Sequence, residues 1–293
     1  MQKSFRVGII PGSYFAPRQK IEGSSWLRAY QLAGVSPNYM LWEHGMDYDA
    51  LIFQKAYWPE MMDLFKGPKI LDLCDPDWYR ENVDIISLGN KVQAVTCSSA
   101  ALTDLVAQYF PDKPVVCVPD RLDLTSFPPS RPLHRGRAKH AVWFGYIHNA
   151  HETLPSMASM LEQSRLRLTI ISNAPYEQND AIAALHPLYV PYDSKRLFYH
   201  LRHADMVLNP RSDRAYFRYK SLNKSLISWQ MGVPVAVEPS DIECLMDADA
   251  RNREVACRQR IVAREYDIQQ TVVQYNHVFE DIIAQMRITD VSK

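Results

Sequence analysis

Between Asn209 and Lys224 the chain carries five cations, Arg211, Arg214, Arg218, Lys220 and Lys224, against one acid, Asp213. The run follows a strand-like stretch and leads into a helix-like one, with Ser221 and Asn223 as further donors. Such a place suits an anion with many oxygens. Guanidinium groups grip a diphosphate in pairs of hydrogen bonds, a lysine adds a point charge, and the unpaired N–H groups of a helix start add partial positive charge. A solvated basic loop is the plainer alternative. A second candidate anion site is Gly145-Tyr146-Ile147-His148-Asn149. Gly145 permits close backbone approach and His148 and Asn149 supply donors, although an ordinary strand-to-helix turn reads the same way.

Carboxylates occur at comparable places. Asp75 and Asp77, in Asp75-Pro76-Asp77-Trp78, just past a strand end, could take a proton from a hydroxyl or orient a sugar, with Trp78 as a stacking face. A loop held by Asx turns fits equally. Glu22 ahead of the first helix could be a base, or an acid placed to favour the helix dipole. Gly12-Ser13 after the first strand and Lys55 after another complete this group.

The 293 residues are enough for two α/β domains with buried cores. Hydrophobic residues make up 47% and charged ones 23%, as in globular proteins. Lys plus Arg and Asp plus Glu each number 33, which argues against a general nucleic-acid coater but not against a local basic groove. The five cysteines show no ligand-like spacing, so structural zinc is not expected and a reducing compartment is. The first apolar run is too short for a signal peptide, and no stretch approaches the roughly 20 apolar residues that cross a bilayer. A soluble, cytoplasmic protein is expected.

The elements that must position these groups alternate. Strand-like runs at 5–10, 39–42, 50–53, 69–73, 94–97 and 115–118 are separated by helix-like segments such as 26–33 and 100–109. Short apolar strands of this kind build a buried parallel sheet. A proline-rich, basic stretch interrupts the pattern, and alternation then restarts at 141–144, 167–172, 188–190, 205–208 and 233–237, ending in a helix over 271–287. The expected division is a first domain over 1–128, a linker over 129–137 and a second domain over 138–293 that includes the terminal helix.

Several motifs then become specific. Ser221-x-Asn223-Lys224 followed by Gly232-Val233-Pro234-Val235 resembles the S-x-N-K…G-x-P-V signature of GT-B glycosyltransferases in the family 1 and 4 group. His203 to Pro210 resembles their strand of the form A-D-hydrophobic-P, and Val118-Pro119-Asp120-Arg121-Leu122-Asp123 their V-P-N-G-V-D turn. Val95 to Ser99 and Ile70 to Pro76 match weaker family patterns. The resemblance implies an α/β fold of two Rossmann-like domains facing each other across a cleft, with a C-terminal helix closing the structure. It implies transfer of a sugar from a nucleotide-diphosphate-sugar, a UDP-sugar above all, to an acceptor hydroxyl, with no cofactor and no metal ion. Gly145, Tyr146, His148, Asn149, Arg211, Arg214, Lys220, Ser221, Asn223 and Lys224 would hold the donor. Gly12, Ser13, Lys55 and Trp78 would hold the acceptor, and Glu22, Asp75 and Asp77 would do the proton chemistry. Where the family usually has the glutamates of the donor-ribose site this sequence has Ile227 and Tyr219, so that either another group, Glu238 or a backbone amide, binds the ribose or the donor site has degenerated. The acceptor stays open between a glycan, a lipid-linked sugar and a small molecule. Two alternatives stand beside this reading. One is a DNA glycosyltransferase acting on a hydroxymethylated base through the stripe Arg131, His134, Arg135, Arg137 and Lys139; the other is a non-catalytic binding module of the same fold.

Overall fold

A computed structural model of the chain describes residues 5–14, 23–130, 133–212 and 214–291. It divides into two compact units. The first comprises Met1–Asp123, Arg218–Asn223 and Tyr266–Lys293, and the second Leu124–Phe217 and Lys224–Glu265.

The first unit is built on a six-stranded parallel sheet: β1 (Val7–Pro11), β2 (Tyr39–Leu41), β3 (Ala50–Gln54), β4 (Lys69–Leu73), β5 (Ala94–Cys97) and β6 (Val115–Cys117), in the order β2-β1-β3-β4-β5-β6. β1, β3, β4 and β5 are buried along their whole length, as near-continuous apolar strands covered on both faces must be. Alternate residues go to opposite faces. Ile10, Leu51, Phe53, Leu71, Leu73, Val95 and Cys97 pack with Met62, Leu88, Leu102 and Phe110. On the other face, Val7, Ile9, Ala50, Ile52, Ile70 and Ala94 meet Ala29 and Leu32, together with Tyr275, Val278, Phe279 and Ile282 of the terminal helix Ile268–Val291. That helix covers the first sheet, whereas the sequence boundaries assign it to the second domain.

The second unit holds β7 (His140–Gly145), β8 (Arg167–Ser172), β9 (Leu188–Pro191), β10 (Met206–Leu208) and β11 (Val235–Ala236), all parallel, in the order β11-β10-β7-β8-β9. Ala141, Trp143, Leu168, Ile170, Met206 and Leu208 form the core with Ala150, Leu154, Met157, Leu161, Ile242 and Leu245. The expected linker is packed onto this unit. Ser130 donates its N–H to the Gln230 carbonyl, Gln259 donates to the Ser130 carbonyl, and the buried His134 ring bonds the Gly232 carbonyl. Arg131 lies outside the described residues.

Most expected strands fall within two residues of their observed limits, whereas helices are less well placed. The turn expected over 145–149 already contains the start of a helix, Ile147–Thr153, and the helices Pro239–Leu245 and Ala248–Glu265 have no counterpart in the sequence reading. Among the described residues no helix is long and apolar enough to cross a membrane.

Candidate functional site

Strand order fixes where each sheet can receive a ligand. Loops on either side of the strand where the winding reverses diverge, and a crevice opens at the carboxyl ends. In the first sheet the reversal lies between β1 and β3, and in the second between β7 and β10.

At the first of these points Gly12 and Ser13 follow β1 and Lys55 follows β3. A Cβ on Gly12 would lie 2.9 Å from the Lys55 carbonyl oxygen, so the two loops touch through backbone. Lys55 adopts a left-handed conformation (φ 50°) and turns its ammonium to Asp75 at 3.1 Å and Asp77 at 2.9 Å, both from the loop after β4. Asp77 is buried and also accepts a 2.6 Å hydrogen bond from the Tyr57 hydroxyl. Burial raises the Asp75 carboxyl, but Lys55 and then Lys220 pull it the other way, and the net position is below the ordinary carboxylate range. Burial likewise opposes the charge of Lys55, but Asp75 and Asp77 outweigh it and hold the ammonium well above its usual pKa. Asp75 is therefore a firmly ionised, weakly basic carboxylate at neutral pH, better suited to orienting a hydroxyl than to removing its proton. The Ser13 hydroxyl is buried without a hydrogen-bond partner among the described residues. Trp78 packs edge-on against Tyr79 and Tyr109, partly buried in the core, and its indole N–H has no partner among the described residues. Glu22 lies outside the described residues.

Beneath this edge runs a buried ionic network that sequence reasoning missed. Arg28, in a turn of π-helix over Trp26–Tyr30, donates to both Asp72 oxygens at 2.7 and 2.6 Å, to Asp120 at 3.0 Å and to the Val118 carbonyl at 2.6 Å. Thr96 adds a 2.6 Å bond to Asp72. Burial opposes the Arg28 charge, and Asp72 more than restores it. Asp120 accepts a 2.5 Å bond from Ser221, and the Tyr219 carbonyl accepts one from Ser99 at 2.8 Å. Arg218 to Asn223, with Lys220 and Ser221, therefore belongs to the first unit. An isolated aspartate in an apolar strand, Asp72 in Lys-Ile-Leu-Asp-Leu, was the available signal, because a carboxylate there must find a cation.

At the second reversal point Gly145 ends β7 with φ +142°, and a Cβ on it would fall 2.7 Å from the Lys224 Nζ. The Lys224 ammonium stands 4.1 Å from the Trp143 ring centroid and 5.8 Å from that of Phe144. The helix Asn223–Gln230 thus brings Lys224 onto the glycine turn at the carboxyl end of β7. Beside it, Tyr146 and His148 are exposed with their rings stacked at 5.8 Å. Asn149 is buried, and its side-chain oxygen has no partner among the described residues. The N–H of Ile147 is taken by the Asn173 side chain at 2.9 Å. After β10, buried Asn209 donates to Ser225 at 3.1 Å. Arg211 donates to the Phe217 carbonyl at 3.2 Å, and Arg214, mostly exposed, pairs with Glu152 at 3.3 Å. Glu238, a candidate for ribose, is engaged in a reciprocal cap with Asp241 at the start of the helix Pro239–Leu245. Gly145 and Lys224 thus meet within the second unit, whereas Lys220, Ser221 and Asn223 lie in the first. The stripe His134 to Lys139 leads into the amino end of β7, about 16 Å of strand from Gly145.

No protein-family model matches the sequence, and no curated protein matches it. Solved structures do. S. aureus TarM, in a complex containing UDP, aligns over 78% of this chain and 55% of its own with 11% identity and a TM-score of 0.59. AviGT4, a glycosyltransferase involved in avilamycin A biosynthesis, aligns over 96% and 98% with 12% identity and a TM-score of 0.58. HepE from Anabaena, in complex with UDP-glucose, aligns over 80% and 79% with 11% identity and a TM-score of 0.59. The chain spans about half the length of TarM. What is shared at these identities is the fold, the paired Rossmann-like architecture of GT-B glycosyltransferases.

Proposed function

We propose that this protein is a glycosyltransferase that takes its sugar from a nucleotide diphosphate, UDP in the first instance. The observation that carries this reading is Lys224, whose ammonium rests on the Gly145 turn at the reversal point of the second sheet. A diphosphate laid on that turn meets a fixed cation and a backbone without a Cβ to hold it off. In transfer, the acceptor oxygen bonds to the anomeric carbon while the bond from that carbon to the phosphate oxygen breaks. The electron pair stays on the diphosphate, and the hydroxyl proton leaves to a base or to water. Lys224 opposes the charge growing on the leaving group, which is where a preorganised cation contributes most. Arg211 and Arg214 stand on the same side, in the loop after β10, and add to this field. In this reading no metal ion is needed for the leaving group. Gly12, Ser13, Lys55 and Asp75 form the acceptor side, with Asp75 orienting the hydroxyl. The neighbours crystallised with UDP and UDP-glucose support the choice of donor.

The described part of the basic stripe behind the DNA-modifying alternative, His134 to Lys139, leads into the amino end of β7, opposite the proposed donor turn, so the structure adds no support for that acceptor. A thermal-shift screen with nucleoside diphosphates and their sugars tests the proposal, since a ligand that binds only the native state raises its midpoint. A rise with UDP or UDP-sugars, with slow release of UDP from the matching sugar, is expected. No response to any nucleotide would overturn it.

A further inference from the structure

The amino end of the second sheet has no part in this chemistry, yet cations gather there. Arg135, Arg137 and Lys139 lead into β7, Arg165 and Arg167 into β8, and Arg202 ends the helix Ser194–Arg202; all six are exposed. They belong together. The Arg167 N–H donates to the Lys139 carbonyl at 3.0 Å, His140 and Arg167 pair in register, and the His140 ring bonds the His203 carbonyl, next to Arg202, at 3.1 Å. None of the six side chains makes an ion pair among the described residues. The acid within this group, Asp205, is spent on the amides of Lys139 and His140 and lies 3.7 Å from buried Arg251. Glu162 and Asp247 are exposed at the border, and Asp247 also caps the Ala250 amide. In a chain of zero net charge this is a concentrated positive field.

Large apolar groups flank it. Leu133 is 66% exposed, Leu188 at the start of β9 58%, and Tyr199 61%. Leu188 pairs in register with Thr169, which bonds the His140 ring at 2.8 Å, and the Tyr199 ring lies 4.5 Å from that of His203. Cations ringed by protruding leucine and tyrosine match the two parts of a membrane interface, anionic headgroups and the upper acyl region. A nucleic-acid duplex would use the charges and leave the leucines in water.

We propose that this face docks the protein on anionic phospholipid, leaving the carboxyl pole with Gly145 and Lys224 pointing away from the bilayer. This assignment does not depend on the glycosyltransferase reading. Its test is co-sedimentation of the full chain with phosphatidylcholine vesicles, with and without about one-third phosphatidylglycerol, at low and high salt. Binding should require the anionic lipid and weaken with salt. Arg137→Glu/Lys139→Glu/Arg167→Glu should lower the partition at least about ten-fold at an unchanged thermal midpoint. If that variant fails to fold, Arg165→Gln/Arg202→Gln should lower it several-fold. Leu188→Ser/Tyr199→Ser should lower what binding survives in high salt. Binding of the charge variants equal to wild type, equal binding to neutral vesicles, or tighter binding to duplex DNA than to the anionic vesicles at matched salt would overturn the proposal.

Discussion

Replacing Lys224 by methionine removes one charge and keeps most of the stem. The Lys224 Nζ sits 4.1 Å above the Trp143 ring and 2.7 Å from the position of a Cβ on Gly145, so a phosphate oxygen on that turn is within reach of a charge-assisted hydrogen bond. Loss of one such donor to developing charge costs about 2.7–4 kcal/mol, or roughly 100- to 1000-fold in turnover. Coulomb attraction between unit charges about 4 Å apart at an effective dielectric near 20 gives about 4 kcal/mol, the same scale. Stability should change much less. A cation over an aromatic face contributes about 0.5–2 kcal/mol, part of which the thioether recovers against Trp143. The assay is the release of nucleoside diphosphate from the donor that raises the melting midpoint, with kcat and KM separated. A fall concentrated in kcat at a near-normal midpoint is expected. Wild-type kcat/KM in Lys224→Met would refute the assignment of this lysine to the leaving group.

Four further outcomes follow from the same geometry. Gly145→Ala places a methyl group against the Lys224 ammonium at a backbone conformation that L-residues rarely adopt. It should cost about 1–3 kcal/mol of stability in urea unfolding and lower donor affinity in the thermal-shift assay. Asp72→Ala leaves buried Arg28 short of its main partner and should cost about 3–5 kcal/mol by the same measurement, with Asp72→Asn intermediate. Asp75 has a lowered pKa in the folded state, so its contribution to stability is present above its unfolded value of about 3.9 and is lost as pH falls through the folded value. Wild type and Asp75→Asn should therefore differ in stability at neutral pH and converge below about pH 4, and a constant gap down to pH 2 would contradict the Lys55 pairing. Arg214→Ala removes a mostly exposed pair with Glu152, which sets its stability cost at about 1 kcal/mol or less, while turnover should fall.

Much of the architecture was legible because β-strands that are buried on both faces must be short, apolar and bounded by turns. Val7–Pro11, Ala50–Gln54 and Arg167–Ser172 announce themselves in this way. The helix Ala248–Glu265 does not, because only four of its side chains are buried, and two of those are Arg251 and Gln259. Lys224 and Gly145 were each visible as residue types suited to a phosphate, but 79 positions separate them in sequence. Their contact depends on β10 lying beside β7, a pairing that local periodicity does not encode.

The residue order alone determined that this chain makes two rounds of strand and helix, and that it carries an excess of cations ahead of a helix start. Tertiary structure decided which unit owns which segment. Arg218–Asn223 joins the first unit because Ser221 and Tyr219 find partners in Asp120 and Ser99, and the terminal helix returns to the first sheet because that face needs Tyr275, Phe279 and Ile282 to cover Ile9 and Ile52. Burial of apolar surface is indifferent to distance along the chain. The same physics that makes each strand recognisable therefore leaves its covering partner unspecified until the sheets have formed.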